Sequence, residues 1–170
     1  VKLKVAVTDA NIFIDLYDLR LLESFFNLEL EIHTTSAVLF ELYPEQQEVL
    51  QVYRSVAKLK VHNLQEKDFI QIFNKKYPKS LSEADKSVLH VANKINACVL
   101  SSDKTLRNCA KNNGIEYHGM IWIFDKFVET AALTPQAAKM KLEQLVASNY
   151  LFRNNKKLVE EIEKRLRIWK

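Results

Sequence analysis

Apolar and polar positions along this chain switch repeatedly between two periods. At the start, Leu3, Val5 and Val7 alternate with Lys2, Lys4 and Ala6, after an apolar Val1. The run is β-branched and predicts a mostly buried strand of about six residues. Residues 11–27 then take helical spacing through Leu19, Leu22, Phe25 and Phe26. A short strand is expected over 30–33. Thr34-Thr35-Ser36 supplies an N-cap for a helix over 37–43. Pro44 interrupts the chain, and a helix over 45–57 follows, with Val49, Val52, Tyr53 and Val56 as its stripe. A third strand is expected at 60–64. Residues 65–77 are amphipathic through Phe69, Ile70 and Phe73.

Beyond the turn Pro78-Lys79-Ser80-Leu81, residues 82–95 read as a helix with a capping-type start. The apolar run Ala97-Cys98-Val99-Leu100-Ser101 is a fourth strand, and 103–113 is a helix closed by Gly114. Residues 115–117 are a fifth strand. Three helices complete the pattern, over 119–132, 135–148 with Pro135 near its start, and 155–169. Strands alternating with helices predict an α/β fold, a parallel sheet sandwiched by helices.

Composition narrows this picture. At 170 residues the chain is expected to form one domain with a full core. No apolar run approaches the roughly 18 residues of a membrane helix. The amino terminus goes straight into a strand, so no signal peptide is expected. Cys98 and Cys109 make neither a disulfide framework nor a metal-ligand spacing, and Cys98 reads as an inert buried thiol. A reducing cytoplasm is the expected location. There is no GxxxxGK[ST] and no GxGxxG, so ATP and NAD are poor candidates. The net charge of +4 is uneven: −3 over residues 1–60, +3 over 61–118 and +4 over the remainder. Ordinary surface charge accounts for this. So does a protein that gathers its own carboxylates in one place and holds a polyanion around them.

Four acids stand at element ends. Asp9 closes the first strand, where a carboxylate is expensive without a partner and where α/β sheets bind their ligands. Glu41 lies in the helix over 37–43, beside apolar residues or turned to solvent. Asp85 completes Ser82-Glu83-Ala84-Asp85, a capping box whose first-turn acids the helix dipole favours in any protein. Asp103 repeats the Asp9 layout after the fourth strand, with N-capping as its ordinary role. Two like charges 4 Å apart repel by about 4 kcal/mol at an effective dielectric near 20. A cluster of such acids must unfold, protonate or bind a cation. All-oxygen ligands favour Mg²⁺ or Mn²⁺ and suit phosphodiester hydrolysis.

In this order and context the residues resemble a PIN domain. The first strand ends in D-x-N, Asp9-Ala10-Asn11. A helix carries an acid before a Leu, Glu41-Leu42. A third acid, Asp85, begins a long helix running on to Val91-Ala92, and the fourth follows the next strand as [ST]-x-D, Ser101-Ser102-Asp103. The resemblance covers residues 1 to about 118. It implies a three-layer sandwich around a five-stranded parallel sheet of order 3-2-1-4-5, and a Mg²⁺- or Mn²⁺-dependent endoribonuclease acting on single-stranded or structured RNA. Asp9, Asp85 and Asp103 would be metal ligands, with Glu41 a ligand or the orienter of the attacking water. Asn11 and Ser101 would be hydrogen-bonders behind them. Lys104 and Arg107, which follow Asp103, are expected to contact the substrate backbone.

Many bacterial members are toxins held inactive by an antitoxin, so an antitoxin or other inhibitor protein and a homodimer are among the partners implied. Residues 119–170 depart from the compact toxin form. They are expected as a helical extension packed on the same domain as the 1–118 core, as in the longer, PilT-N-terminal-like members.

Other readings compete. A catalytically silent nucleic-acid- or protein-binding module, or a DNA-directed nuclease, would use the same fold. His33, His62, His90 and His118 lack zinc-site spacing and read as surface or strand-end residues. Asp15 and Asp18 flank the first helix and could line the cleft rim, with solvent the favoured place. The phosphatase pattern D-x-D fails at Asn11. The last helix carries Leu158, Ile162, Leu166 and Trp169 on one stripe beside Val159, edged by Lys156, Lys157, Lys164, Arg165, Arg167 and Lys170. That edge is solvated, or contacts a partner or RNA. Tyr117, His118 and Trp122 could stack on bases, with a core place favoured for Trp122.

Overall fold

A computed structural model describes residues 2–169; Val1 of the opening strand and the basic Lys170 lie outside the described residues. The strands are β1 (Lys4–Thr8), β2 (Leu30–Thr35), β3 (Leu59–His62), β4 (Cys98–Leu100) and β5 (Tyr117–His118). They form one parallel sheet of order β3-β2-β1-β4-β5. The helices are α1 (Ala10–Asp18), α2 (Leu22–Phe26), α3 (Ser36–Phe40), α4 (Pro44–Ser55), α5 (Glu66–Lys75), α6 (Glu83–Ile95), α7 (Lys104–Asn112), α8 (Met120–Glu129), α9 (Pro135–Ser148), α10 (Tyr150–Asn154) and α11 (Lys156–Ile168).

By compactness the chain falls into two units. The first comprises Val1–Ile14 with Glu29–Gly119 and holds the whole sheet; the second comprises Asp15–Leu28 with Met120–Lys170 and is helical. In the first unit the central strands are sealed on both faces, as parallel strands require. Val7, Val99 and Leu100 have no exposure, and Ile12, Val38, Val88, Leu89 and Leu106 join them in the core. The register pairs Val7 with Val99 and Thr8 with Leu100, and the Asp9 amide extends this ladder to the Leu100 carbonyl at 2.9 Å. The first candidate acid is therefore held by the sheet itself. In the second unit the core is Leu16, Phe25, Ile123, Phe124, Phe127, Leu142 and Leu145. Phe124 meets Phe127 edge-on and lies 6.4 Å from the Trp169 ring. Arg165 of α11 pairs with Asp125 of α8 at 2.9 Å.

The structure departs from the hydrophobic pattern in four places. The helix expected over 11–27 is two, broken where Arg20 takes the left-handed φ of +57°. The helix expected to Tyr43 ends at Phe40, and Tyr43 caps α4 instead. In α4 the buried positions are Gln46 and Leu50, while Val52 and Val56 are exposed. In α5 the buried positions are Asp68 and Ile72, and Phe69, Ile70 and Phe73 face solvent. Periodicity identifies a helix, but a neighbouring element decides which face it covers. For α5 that neighbour is α6, whose His90 and Lys94 reach Asp68 at 2.8 and 3.3 Å.

Candidate active site

The carboxyl ends of β1 and β4 carry a continuous hydrogen-bond network. Asp9 is 3% exposed. Its Oδ1 accepts from the Ala10 amide at 2.8 Å, and its Oδ2 accepts from Asn11 Nδ2 and from Ser101 Oγ, both at 2.8 Å. Ser101 Oγ in turn accepts the Asp103 amide at 3.0 Å, and Asn11 Oδ1 accepts the Ser102 amide at 2.9 Å. Asn11 and Ser101 thus tie β1 to β4 and aim one carboxylate. Burial pushes Asp9 up to about 6 despite the Ser101 and Ala10 hydrogen bonds, and the charges of Asp85 and Glu41 push the same way.

Glu41 and Asp85 are brought to this end of the sheet by their helices. Thr35 at the end of β2 caps α3, its Oγ1 accepting from the Val38 amide at 3.2 Å. The same hydroxyl meets Ser87 Oγ of α6 at 2.7 Å. Thr35 therefore joins the α3 start, whose helix ends at Glu41, to the first turns of α6, which carry Asp85. Thr34 Oγ1 donates to the Thr8 carbonyl at 2.8 Å, bracing β2 against β1 beside Asp9. Glu41 sits exposed at the α3 C-cap rather than on an apolar stripe. Partial desolvation, and secondarily Asp85, still raise its pKa.

Asp85 and Asp103 both perform the capping roles that their positions suggest. Asp85 Oδ2 accepts the Ser82 amide at 2.9 Å while its own amide reaches Ser82 Oγ at 3.1 Å. Asp103 Oδ1 accepts the Leu106 amide at 2.7 Å. Each keeps a second carboxylate oxygen outside these bonds. Among the described residues no three His, Cys, Asp or Glu side chains stand so as to hold a metal ion. The donor chemistry nonetheless fits a hard divalent cation: carboxylates alone, one of them buried and resisting ionisation. The hydroxyls of Thr8 and Ser102, at the same strand ends, are buried without a hydrogen-bond partner.

Other expectations fare variously. Arg107 lies over the Tyr117 ring, 5.2 Å from its centroid, and presses on Gly119, where an added Cβ would stand 3.0 Å from the Arg107 Nη1. Lys104, on the first turn of α7, is exposed. His33 is buried within β2, bonded to His62 at 2.7 Å and to Glu31 at 2.8 Å, rather than on the surface. Asp15, expected in solvent, is 8% exposed, and burial raises it to about 6 while Asn149 Nδ2 donates to it at 3.2 Å. Cys98 is buried, which pushes its thiol up to about 11. Sequence reasoning missed Thr35 and Ser87 as the tie that brings α3 and α6 together. Thr35 was legible only as one of three adjacent cap candidates.

A parallel sheet of this order, with carboxylates at the ends of its central strands, places its acids where open α/β sheets bind their ligands. A family model described as a PIN domain matches residues 5–167, and the chain belongs to the PIN domain family, whose members are in general nucleases that use divalent metals. The match runs through the C-terminal helices as well as the sheet. Two similar solved structures are archaeal. A PilT N-terminus domain protein of the hyperthermophile Sulfolobus solfataricus is 20% identical, with a TM-score of 0.45 over 68% of this chain and 87% of that one. A domain of a functionally unknown protein from Methanocaldococcus jannaschii is 26% identical, with a TM-score of 0.48 over 68% of this chain and 90% of that one. No curated protein matches the sequence. No helix among the described residues is long and apolar enough to cross a membrane.

Proposed function

We propose that this chain is an endoribonuclease that depends on Mg²⁺ or Mn²⁺. The observation that carries the reading is Asp9: a carboxylate 3% exposed, wired to Asn11 and Ser101 across two strands, and near enough to Glu41 and Asp85 for their charges to raise it. Desolvating an acid among other acids is unfavourable for folding alone, and is offset when a cation binds there. Asp9, Asp85 and Asp103 would hold the ion. When bound, it supplies an acidified water and neutralises charge on the scissile phosphodiester.

The chain's own residues supply the rest. Asn11 and Ser101 fix the Asp9 carboxylate so that little reorganisation remains at the moment of reaction. The Glu41 carboxylate makes no hydrogen bond among the described residues, and partial burial raises its pKa. That suits it to orient the attacking water and take its proton. Lys104 is free to meet the substrate backbone, whereas Arg107 is committed to Tyr117.

The test is cleavage of a labelled single-stranded RNA with Mn²⁺ by wild type and by Asp9→Asn, with a DNA strand of the same sequence alongside. Asp9→Asn is expected to lose at least about 100-fold in rate while folding normally. Equal rates would overturn the reading. A second reading has its own support: Asp85 and Asp103 are both occupied as helix caps. On that reading the protein is a silent binding module, and no metal supports cleavage by wild type.

A further inference from the structure

Alternate residues of a strand share one face. Glu31, His33 and Thr35 share one face of β2, and the register sets Lys60 beside His33 and His62 beside Thr35 on β3. Two histidines meet across these strands. His33 Nδ1 lies 2.7 Å from His62 Nε2, with ring centroids 5.0 Å apart and planes inclined by 27°. His33 Nε2 lies 2.8 Å from Glu31 Oε1, and Lys60 Nζ donates to the same oxygen at 2.8 Å. His33 is 6% exposed and His62 is half-buried. The cluster has no part in the proposed chemistry, yet Thr35, next along the same face, meets Ser87 and caps α3.

Their contacts dictate where the hydrogens stand. Lys60 and His33 hold the Glu31 carboxyl below the usual range, so its oxygen accepts and His33 Nε2 carries a hydrogen. Two imidazole nitrogens 2.7 Å apart need one hydrogen and one lone pair between them. With both rings neutral, His62 Nε2–H therefore donates to the lone pair of His33 Nδ1. One proton from solvent can be added at His62 Nδ1 and the bridge survives. A second has only His33 Nδ1 left to bind, and two N–H groups then face each other. The bond breaks and two adjacent cations repel. The surrounding charges give little relief. Glu31 of β2 is engaged by Lys60 of β3, and Asp68 of α5 by His90 and Lys94 of α6, at 2.8 and 3.3 Å. Burial, and then the charges of His33, Lys94 and Lys60, push His62 down, with Asp68 opposing.

We propose that His33 and His62 form a proton lock on the edge of the sheet, in which the bridged pair holds β3 to β2 at neutral pH and a second proton in acid breaks the bridge and releases the strand. The fold makes the edge dependent on this bridge. β3 is four residues long and stands at the end of the sheet order, paired with β2. Leu59 is its one fully buried residue, so little apolar packing substitutes for the bridge. The sign follows from burial. The folded state holds a proton on His62 less tightly than the unfolded state does. The contribution to stability is therefore whole above the ordinary histidine value of 6.5 and falls as pH drops below it. Release would unpair the outer side of β2 and leave its N–H and C=O groups open to another strand.

The experiment is NMR on the full chain between about pH 7.5 and about pH 5. It reads the histidine ring nitrogens and the exchange protection of the β3 amides that pair with β2, against those of β1, each corrected for intrinsic exchange. His62→Gln accompanies wild type, because its carboxamide N–H can donate to His33 Nδ1 and takes up no proton. In wild type the rings should show His33 as the Nε2–H tautomer at the top of the range. Protection in β3 should fall at least about tenfold toward pH 5 while β1 holds, and in His62→Gln it should change by less than about twofold. The lock is overturned by β3 protection in wild type that ignores pH, or by a fall of the same size in His62→Gln. It is overturned equally by ring spectra with both histidines as imidazolium while β3 stays protected. That last result needs wild type alone, so a His62→Gln chain that fails to fold leaves the test intact. A fall shared equally by β1 also overturns the lock, since acid would then be loosening the whole sheet.

Discussion

Asp9 and Asp15 lie six residues apart, both buried, and both are raised to about 6. Their surroundings separate them. Asp9 has an amide, a hydroxyl and a carboxamide aimed at it and two acids nearby, whereas Asp15 has the Asn149 carboxamide and the neighbouring charge of Asp18. Asp15 is a site where ionisation weakens the fold. Its folded pKa exceeds its ordinary value of 3.8, so the folded state binds the proton more tightly than the unfolded state does. Stability therefore falls as pH rises from about 4 to about 6 and stays lowered above that, by up to about 3 kcal/mol. Asp15→Asn keeps an oxygen to accept from Asn149 and removes the charge. Urea melts should find it more stable than wild type at pH 7 and nearly equal at pH 4. A variant less stable than wild type at pH 7 would show that the carboxylate is compensated. Neither the depth of Asp15 nor its partner could be read from the chain, because Asn149 is 134 residues away.

At the scale of elements, α5 shows how packing overrides a pattern. Its periodicity marks a helix, and the apolar side of that helix is the natural candidate for the core. The fold buries the other side, because Asp68 is held by the Gln65 amide, His90 and Lys94. These contacts, the Gln65 amide first, hold the Asp68 carboxyl well below the usual carboxylate range. The sign is opposite to that of Asp15. The stabilisation is present above the unfolded pKa near 4 and is lost as pH falls below it. Asp68→Ala is expected to cost about 1–3 kcal/mol at pH 7, since it strands the charged and amide donors that met the carboxylate. The deficit relative to wild type should shrink in melts below pH 4. An unchanged melting temperature at pH 7 would mean that α5 is held by Ile72 alone.

At the scale of the whole molecule, the acids at the sheet's carboxyl end should behave as one unit toward a cation. Mn²⁺ should raise the melting temperature of wild type above its value in EDTA, because a ligand that binds only the folded state stabilises it by mass action. Asp85→Asn can still accept the Ser82 amide through its side-chain oxygen. It should melt higher than wild type in EDTA, where one repulsion on Asp9 and Glu41 is gone, and should respond less to Mn²⁺. Calorimetric scans check both. A wild type indifferent to Mn²⁺, with Asp85→Asn only destabilised, would leave Asp85 as a helix cap and favour the binding-module reading.

The alternation of periods by itself determined the five strands, the parallel sheet, and the placement of Asp9 and Asp103 after strand ends and of Asp85 at a helix start. These follow from local rules: side-chain period, cap chemistry, and the need to bury both faces of a central strand. Asp9 was legible for the same reason, at the end of an apolar run, whereas Asn11 and Ser101 were singled out by the resemblance to a PIN domain. The tertiary structure alone decided which face of α4 and α5 is covered, that Asp15 and His33 are buried, and that Thr35 meets Ser87 to bring α3 and α6 together. Each of those outcomes depends on a partner that is remote in the chain or on another element. Local spacing carries no information about such a partner until the sheet has closed around it.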